Sequence, residues 1–144
     1  SGMARDSRKD MGFGIYDELD FDVVTETTGD VEARIKVRVG EVRESLKIVR
    51  QVISKLRRNA EVELAVDLGQ LRTLEGSWGI SESPRGDNIH WLMLDAEGRI
   101  DRSFIRSASY PNWPALTVAV QGDIIPDFPL INKSFELCYA CIDR

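Results

Sequence analysis

The sequence is short of cysteine and histidine and has no long apolar run, and each shortage removes a class of protein. Two cysteines in 144 residues are too few for a disulfide scaffold. The single histidine, His90, leaves a four-ligand zinc site one donor short even with both thiols. No stretch approaches the ~18 consecutive apolar residues of a membrane span. The opening SGMARDSRKDMG holds no apolar run of the kind a signal peptide needs. No internal repeat or low-complexity tract interrupts the chain. With 42% hydrophobic and 30% charged residues, the composition is that of a folded domain rather than a disordered one. A chain of this length is expected to bury about 70% of its unfolded surface around one core. Close cysteines without an export signal predict a reducing cytosol, where metal binding or redox chemistry outranks a structural bridge.

Positive charge is scarce everywhere except in one segment. The net charge is −5, yet residues 31–58 hold nine Lys or Arg against three Glu, so the remainder carries −11. Aromatic stacking residues are absent from that basic segment, and its apolar positions fall at core spacing. It therefore reads as a solvated or partner-facing helix rather than a nucleic-acid surface. Ile35, Val39, Val42, Leu46, Val49, Ile53 and Leu56 alternate spacings of four and three, an apolar seam on a helix of about 27 residues, roughly 40 Å long. Gly29-Asp30 supplies its start, with Asp30 as N-cap. A helix this long is expected to leave its seam short of partners within the chain.

Before it, residues 1–30 read as an extended acidic arm with a short strand near Phe21–Thr25, and residues 31–144 as the domain proper. Residues 60–76 are ambiguous between strand and helical turn. SWGISESPRGD reads as loop. IHWLMLD-AEG-RIDRSFIRS reads as a β-hairpin around a Gly98 turn. NWPALTVAVQGD reads as a helix opened by Asn112, with Pro114 in its first turn and Gly122 at its end. Pro126 and Pro129 predict a short irregular element, and SFELCYAC a brief strand or turn. The fold class expected is α+β: one long amphipathic helix, a β-hairpin sheet and a shorter C-terminal helix.

Chemistry concentrates at the end of the chain. Cys138 and Cys141 form a C-x-x-C pair, which could grip metal, exchange electrons or be buried as two small apolar groups. Thioredoxin-like use calls for the pair at a helix N-terminus early in a βαβ pattern, which this position does not offer. A half-site completed from elsewhere would account for the pair and for the absence of other ligands. In ESPRG, Arg85 is fixed between Pro84 and Gly86, either as an ordinary turn or as a means of aiming a guanidinium into a pocket. His90 reads as structural, and the three tryptophans as core or interface anchors.

Five motifs in order, YDELDFDV, GDVEARIKVRVGEVRESLKIVRQ, ESPRGD, PNWPAL…GDIIPDFPLI and CYACIDR, resemble the C-terminal portion of [NiFe]-hydrogenase large subunits. The resemblance is nearest to the membrane-associated, energy-converting group that includes formate hydrogenlyase. The quinone-proximal large subunit of respiratory complex I shares the framework. The match runs from about residue 8 to Arg144 and leaves out the family's larger N-terminal half. It implies that Cys138 is a terminal nickel thiolate and Cys141 a thiolate bridging nickel and iron. It places Arg85 and Pro84 over the open nickel position and Ser109 where a hydroxyl meets an iron-bound cyanide, with Ala108 replacing a common proline. Asp127 matches a recurrent acidic residue of structural role. The family's usual Asp-Pro before the first terminal cysteine is Glu136-Leu137 here, so the acid is kept on a longer arm and the rigid proline is lost.

The cofactor implied is a nickel–iron centre with CN and CO ligands in the full-length protein, with none expected in this fragment. The partners implied are the N-terminal half of the large subunit, an iron–sulfur small subunit and membrane subunits of an energy-converting complex, but no nucleic acid; pairing of two copies through the seam is a further expectation. The implied location is cytoplasmic, peripheral to the inner face of the cell membrane. The function expected is H2/proton interconversion by the assembled enzyme, with this chain inactive alone. Set against it are a complex I-type quinone oxidoreductase subunit and a hydrogenase-derived scaffold without nickel.

Overall fold

The computed structural model describes residues 2–58, 65 and 67–142. A single turn of helix, α1 (Ser7–Asp10), and a 3-10 turn at Tyr16–Glu18 precede the long helix α2 (Val31–Arg58). A three-stranded antiparallel sheet follows, β1 (Gly76–Ser83), β2 (Gly86–Leu94) and β3 (Ile100–Arg106), in sequence order. Two short helices close the chain, α3 (Trp113–Ala119) and α4 (Phe128–Phe135), each entered through a 3-10 turn. The α+β class read from the sequence holds.

Helix α2 starts where its capping chemistry sits. The Asp30 carboxylate accepts the Ala33 N–H at 2.7 Å, and that bond is the main cause of its lowered pKa. Gly29, at φ +71°, turns the chain into the helix.

The strand expected near Phe21–Thr25 does not form. That segment runs antiparallel along α2 and is held by the helix instead of a sheet. The Glu18 carboxylate meets Lys55 at 2.5 Å. The Asp20 backbone exchanges two hydrogen bonds with the Gln51 amide, at 2.9 and 2.7 Å. The Asp22 N–H donates to Glu44 at 2.9 Å. Val24 lies against Gly40, where an added Cβ would fall 2.6 Å from a Val24 methyl. The two pitches match over the whole segment: six extended residues from Glu18 to Val24 advance about 20 Å, close to the roughly 22 Å of the fifteen helical residues from Lys55 to Gly40. Phe21, 1% exposed, is the pivot. Its ring stands edge-on to Tyr16 and takes the Arg8 guanidinium and the Lys9 ammonium, each at 4.9 Å.

SWGISESPRGD, expected as loop, forms β1, the hairpin turn and the start of β2. Its serines and glycines alternate with Trp78 and Ile80, a period-2 pattern too sparse in apolar residues to register as a strand in isolation. The expected hairpin is present as β2–β3, with Gly98 at φ +79° in its turn. The prolines of IIPDFPLIN do not break an element. Pro126 and Pro129 occupy first-turn positions, where the missing N–H has no partner to lose, and Asp127 stands at the N-terminal boundary of α4 without a side-chain cap bond. Of residues 60–76, those described, 65 and 67–76, form neither a strand nor a helical turn before β1 opens at Gly76, and 60–64 and 66 lie outside the described residues.

The buried apolar side chains among the described residues are few: Leu19, Phe21, Ala33, Ala108, Leu116 and Ile131. The accessible surface is 10,890 Å², against about 7,500 Å² for a compact monomer of this mass. The chain thus buries roughly half of its unfolded surface rather than the expected 70%.

Candidate functional site

Three segments distant in sequence meet beside the end of α4: the β1–β2 turn, the loop after β3 and the residues that follow α4. In the turn, Ser83 and Gly86 are register partners, so Pro84-Arg85 is a two-residue hairpin loop closed by Gly86 at φ +108°. The Ser83 hydroxyl donates to the Gly86 carbonyl at 2.9 Å and accepts the Arg85 N–H at 3.4 Å. Pro84 stays exposed at the tip and Arg85 is half-buried. The Arg85 guanidinium donates through Nη1 to the Glu136 carbonyl at 3.0 Å.

Glu136 is held in a strained conformation that suits this contact. It caps the C-terminus of α4 at φ +54°, ψ +30°, left-handed for a non-glycine residue. Its N–H donates to the Lys133 carbonyl at 3.0 Å, and its carboxylate pairs with Lys133 Nζ at 3.0 Å. The Lys133 ammonium holds that carboxyl below its ordinary pKa, with Arg38 and Arg85 adding smaller pulls. Expected to act through its acid group, Glu136 meets Arg85 through its backbone.

Ser109 is fully buried, at 0% exposure. Its hydroxyl accepts the Cys138 N–H at 3.1 Å, and its own N–H donates to the Ser107 hydroxyl at 3.0 Å. Ser109 therefore orients the start of the C-x-x-C turn. Cys138 and Cys141 are both half-buried on that turn, which is closed by the Ile142 N–H on the Tyr139 carbonyl at 3.0 Å. Tyr139 leans on Trp113 at 4.8 Å between ring centroids and its hydroxyl accepts from the Asn132 amide.

Two positioning residues escape a reading of the sequence alone. Asn112 has the residue type and place of a cap for α3, yet its side chain makes no cap bond. Its amide donates instead to the Arg85 carbonyl at 2.7 Å and the Ala108 carbonyl at 2.8 Å. One side chain thereby ties the arginine turn to the serine loop. Asn88 accepts the Ala108 N–H at 3.0 Å, and the available signal is a residue of low strand propensity within β2. His90 lies exposed on β2, away from this cluster in the register.

Chemically, the site offers two soft sulfur donors three residues apart, plus a guanidinium with further N–H donors beyond the one on Glu136. Among the described residues no group of three or more His, Cys, Asp and Glu converges in a way that could hold a metal. By itself the cysteine pair offers two sulfur donors.

The sequence matches the family described as the respiratory-chain NADH dehydrogenase 49 Kd subunit over residues 1–72 and 73–144. The chain belongs to this family. It is 37% identical over 144 residues to formate hydrogenlyase subunit 5 of Escherichia coli K12, spanning all of this chain and 25% of that protein. It is 33% identical over 147 residues to an NADH-quinone oxidoreductase component of Herpetosiphon aurantiacus, spanning all of this chain and 40% of that protein. The fold matches a chain of the membrane-bound sulfane sulfur reductase, an archaeal respiratory membrane complex, at a TM-score of 0.83 and 26% identity, over all of this chain and 40% of that one. The chain thus spans between a quarter and two fifths of these relatives, among which are components of hydrogenases and NADH-quinone oxidoreductases. No helix among the described residues is long and apolar enough to cross a membrane.

Proposed function

We propose that the chain forms the C-terminal part of a [NiFe]-hydrogenase large subunit of the energy-converting kind, and that Cys138 and Cys141 supply half of the thiolates of its nickel–iron centre. The observation that carries this reading is the convergence of Arg85, Ser109 and the Cys138 turn through the Arg85–Glu136 and Ser109–Cys138 hydrogen bonds. Thiolates three residues apart on a half-buried turn suit soft metals, and the hydroxyl of Ser109 sets the entry of that turn. Such a centre, when bound, supplies the redox chemistry of H2 and protons. The chain's own contribution is then to hold two sulfurs and to present Arg85, anchored at one nitrogen, with its other N–H groups available as donors. An iron–sulfur small subunit and membrane subunits complete the proposed assembly, with this part peripheral to the membrane.

The second reading is a quinone-reducing subunit of complex I type, or a scaffold without nickel. It is favoured by the likeness to the Herpetosiphon aurantiacus NADH-quinone oxidoreductase component and by Glu136-Leu137, whose acid is engaged by Lys133. Metal analysis of the full-length protein separates the readings, and a quinone-reduction assay divides the second.

The test within the first reading uses two variants of the full-length protein. Arg85→Lys keeps the charge and removes the planar fork. H2 turnover should fall by about two powers of ten, near 3 kcal/mol of barrier, with metal content unchanged. Cys138→Ser should lose the metals outright. Full activity in Arg85→Lys would reduce Arg85 to a turn residue, and nickel retained in Cys138→Ser would remove the cysteine from the ligand set. The 144-residue chain alone is expected to hold less than one nickel per chain.

A further inference from the structure

The seam of α2 is uncovered along its whole length. Ile35, Val39, Val42, Leu46, Val49, Ile53 and Leu56 are each between 45% and 60% exposed. In heptad terms, Val39, Leu46 and Ile53 are a positions and Ile35, Val42, Val49 and Leu56 are d positions. The adjoining e positions are then Lys36, Arg43 and Arg50, and the sequence repeats the pattern at Arg57. Every e position along the seam is basic.

Among the described side chains, four other cations of α2 are occupied. Lys47 and Lys55 pair with Asp20 and Glu18 of the arm. Arg34 and Arg38 bind the end of α4, Arg34 through the Ser134 hydroxyl at 2.8 Å and Arg38 through the Phe135 carbonyl at 2.7 Å. Among the described residues Lys36 pairs with the local Glu32, at 2.8 Å. Arg43 and Arg50, both exposed, have no carboxylate within ion-pair distance among the described residues. Two unmatched guanidinium groups in a basic row beside a bare apolar stripe are half of an electrostatically selective helix interface.

We propose that this seam docks an amphipathic partner helix bearing carboxylates along the flank of its own apolar stripe, and that the same charge row refuses a second copy of this chain. In an antiparallel pair of copies, e faces e, and the row meets itself. In a parallel pair, e faces g, and the g positions are Arg38, Ser45 and Val52. Neither arrangement brings one carboxylate to the row. Like charges set against one another select among partners even where the apolar contacts are equal. The exposed stripe therefore has a partner chemistry written beside it.

The test uses two synthetic helical peptides of 28 residues, the length of α2, identical in a Leu/Ile a–d stripe. One carries Glu at all e and g positions and the other Lys. At low salt the Glu peptide should bind the 144-residue chain at least about tenfold more tightly than the Lys peptide, and added salt should narrow the gap. Joint Arg43→Glu and Arg50→Glu replacement should reverse the preference, and Val42→Asp should abolish binding of the Glu peptide. The chain alone should sediment as a monomer. Equal binding of the two peptides, binding of neither, or Glu-peptide binding that survives Val42→Asp would overturn the proposal. A dimer of the chain dissolved by Val42→Asp would overturn it in favour of a second copy.

Discussion

At the residue scale, Asn112 shows how one amide can hold a site together. Both of its donated bonds go to carbonyls of the two loops that face the cysteine turn. Asn112→Ala leaves those carbonyls short of a partner, and each net bond of this kind is worth about 1 kcal/mol. We expect a loss of about 1–2 kcal/mol in urea denaturation, and Asn112→Asp, which sets an acceptor against two acceptors, should cost more. Glu41 gives the opposite lesson. Burial pushes its carboxyl above the ordinary range, outweighing the nearby Arg38 and Arg8. An acid whose folded pKa is raised adds stability below its unfolded pKa, about 4.3, and loses it as pH rises through the folded value. Glu41→Gln should therefore stabilise the chain at neutral pH and give no gain in strong acid. Glu136 has the reverse sign. Its pKa is lowered by Lys133, so its contribution is present above about 4.3 and fades as pH falls through the lowered value. Denaturation midpoints measured across pH for Glu41→Gln and Glu136→Gln should move in opposite senses.

At the element scale, the long helix is held by an arm that is neither helix nor strand. Gly40 permits the approach, because a Cβ there would sit 2.6 and 2.9 Å from the two Val24 methyls. In an open helix, Gly→Ala gains about 1 kcal/mol of propensity. Here the β-branched Val24 has little rotameric freedom to yield, so Gly40→Ala should destabilise by about 1–3 kcal/mol. Adding Val24→Ala should restore much of the loss, and a double-mutant cycle in urea measures the coupling. An additive result would show that the arm does not lie on α2 in solution.

At the scale of the whole molecule, exposed surface is the dominant fact. The excess over a compact monomer is about 3,400 Å², well above the ~1,600 Å² of a standard protein interface. Two exposed apolar stretches contribute to it: the seam of α2, and a cross-strand row on the sheet where Trp78, Trp91 and Phe104 are register partners. Trp78 and Phe104 are 68% and 61% exposed. Because the urea m-value scales with surface released on unfolding, the isolated chain should show an m-value about three quarters of that of a compact domain of equal length. It should also bind an apolar dye strongly, and the Glu-flanked peptide should displace that dye from the seam. A normal m-value without dye binding would mean that both surfaces are covered in solution.

Local rules carried a good part of the architecture. The seam period, Asp30 as cap, the Gly98 hairpin and the pairing of Pro84-Arg85 with a glycine are decided within a few residues by helical and turn geometry. Residue pattern also placed Arg85 and the two cysteines among the candidate residues, and the family resemblance added Ser109. The sequence did not disclose that Asn112 would join two loops, because an asparagine just before Trp113-Pro114 is equally well placed to cap the helix. Nor did it disclose β1, whose apolar residues are too sparse to signal a strand until β2 lies beside it. Phe21–Thr25 had strand chemistry, yet in the tertiary fold no strand lies beside it and a helix does, so its backbone pairs with side chains. By itself the sequence determined what each segment could be. Only the tertiary structure decided which groups compete for the same partner, since hydrogen-bond donors and acceptors far apart in the chain are matched by proximity rather than by spacing.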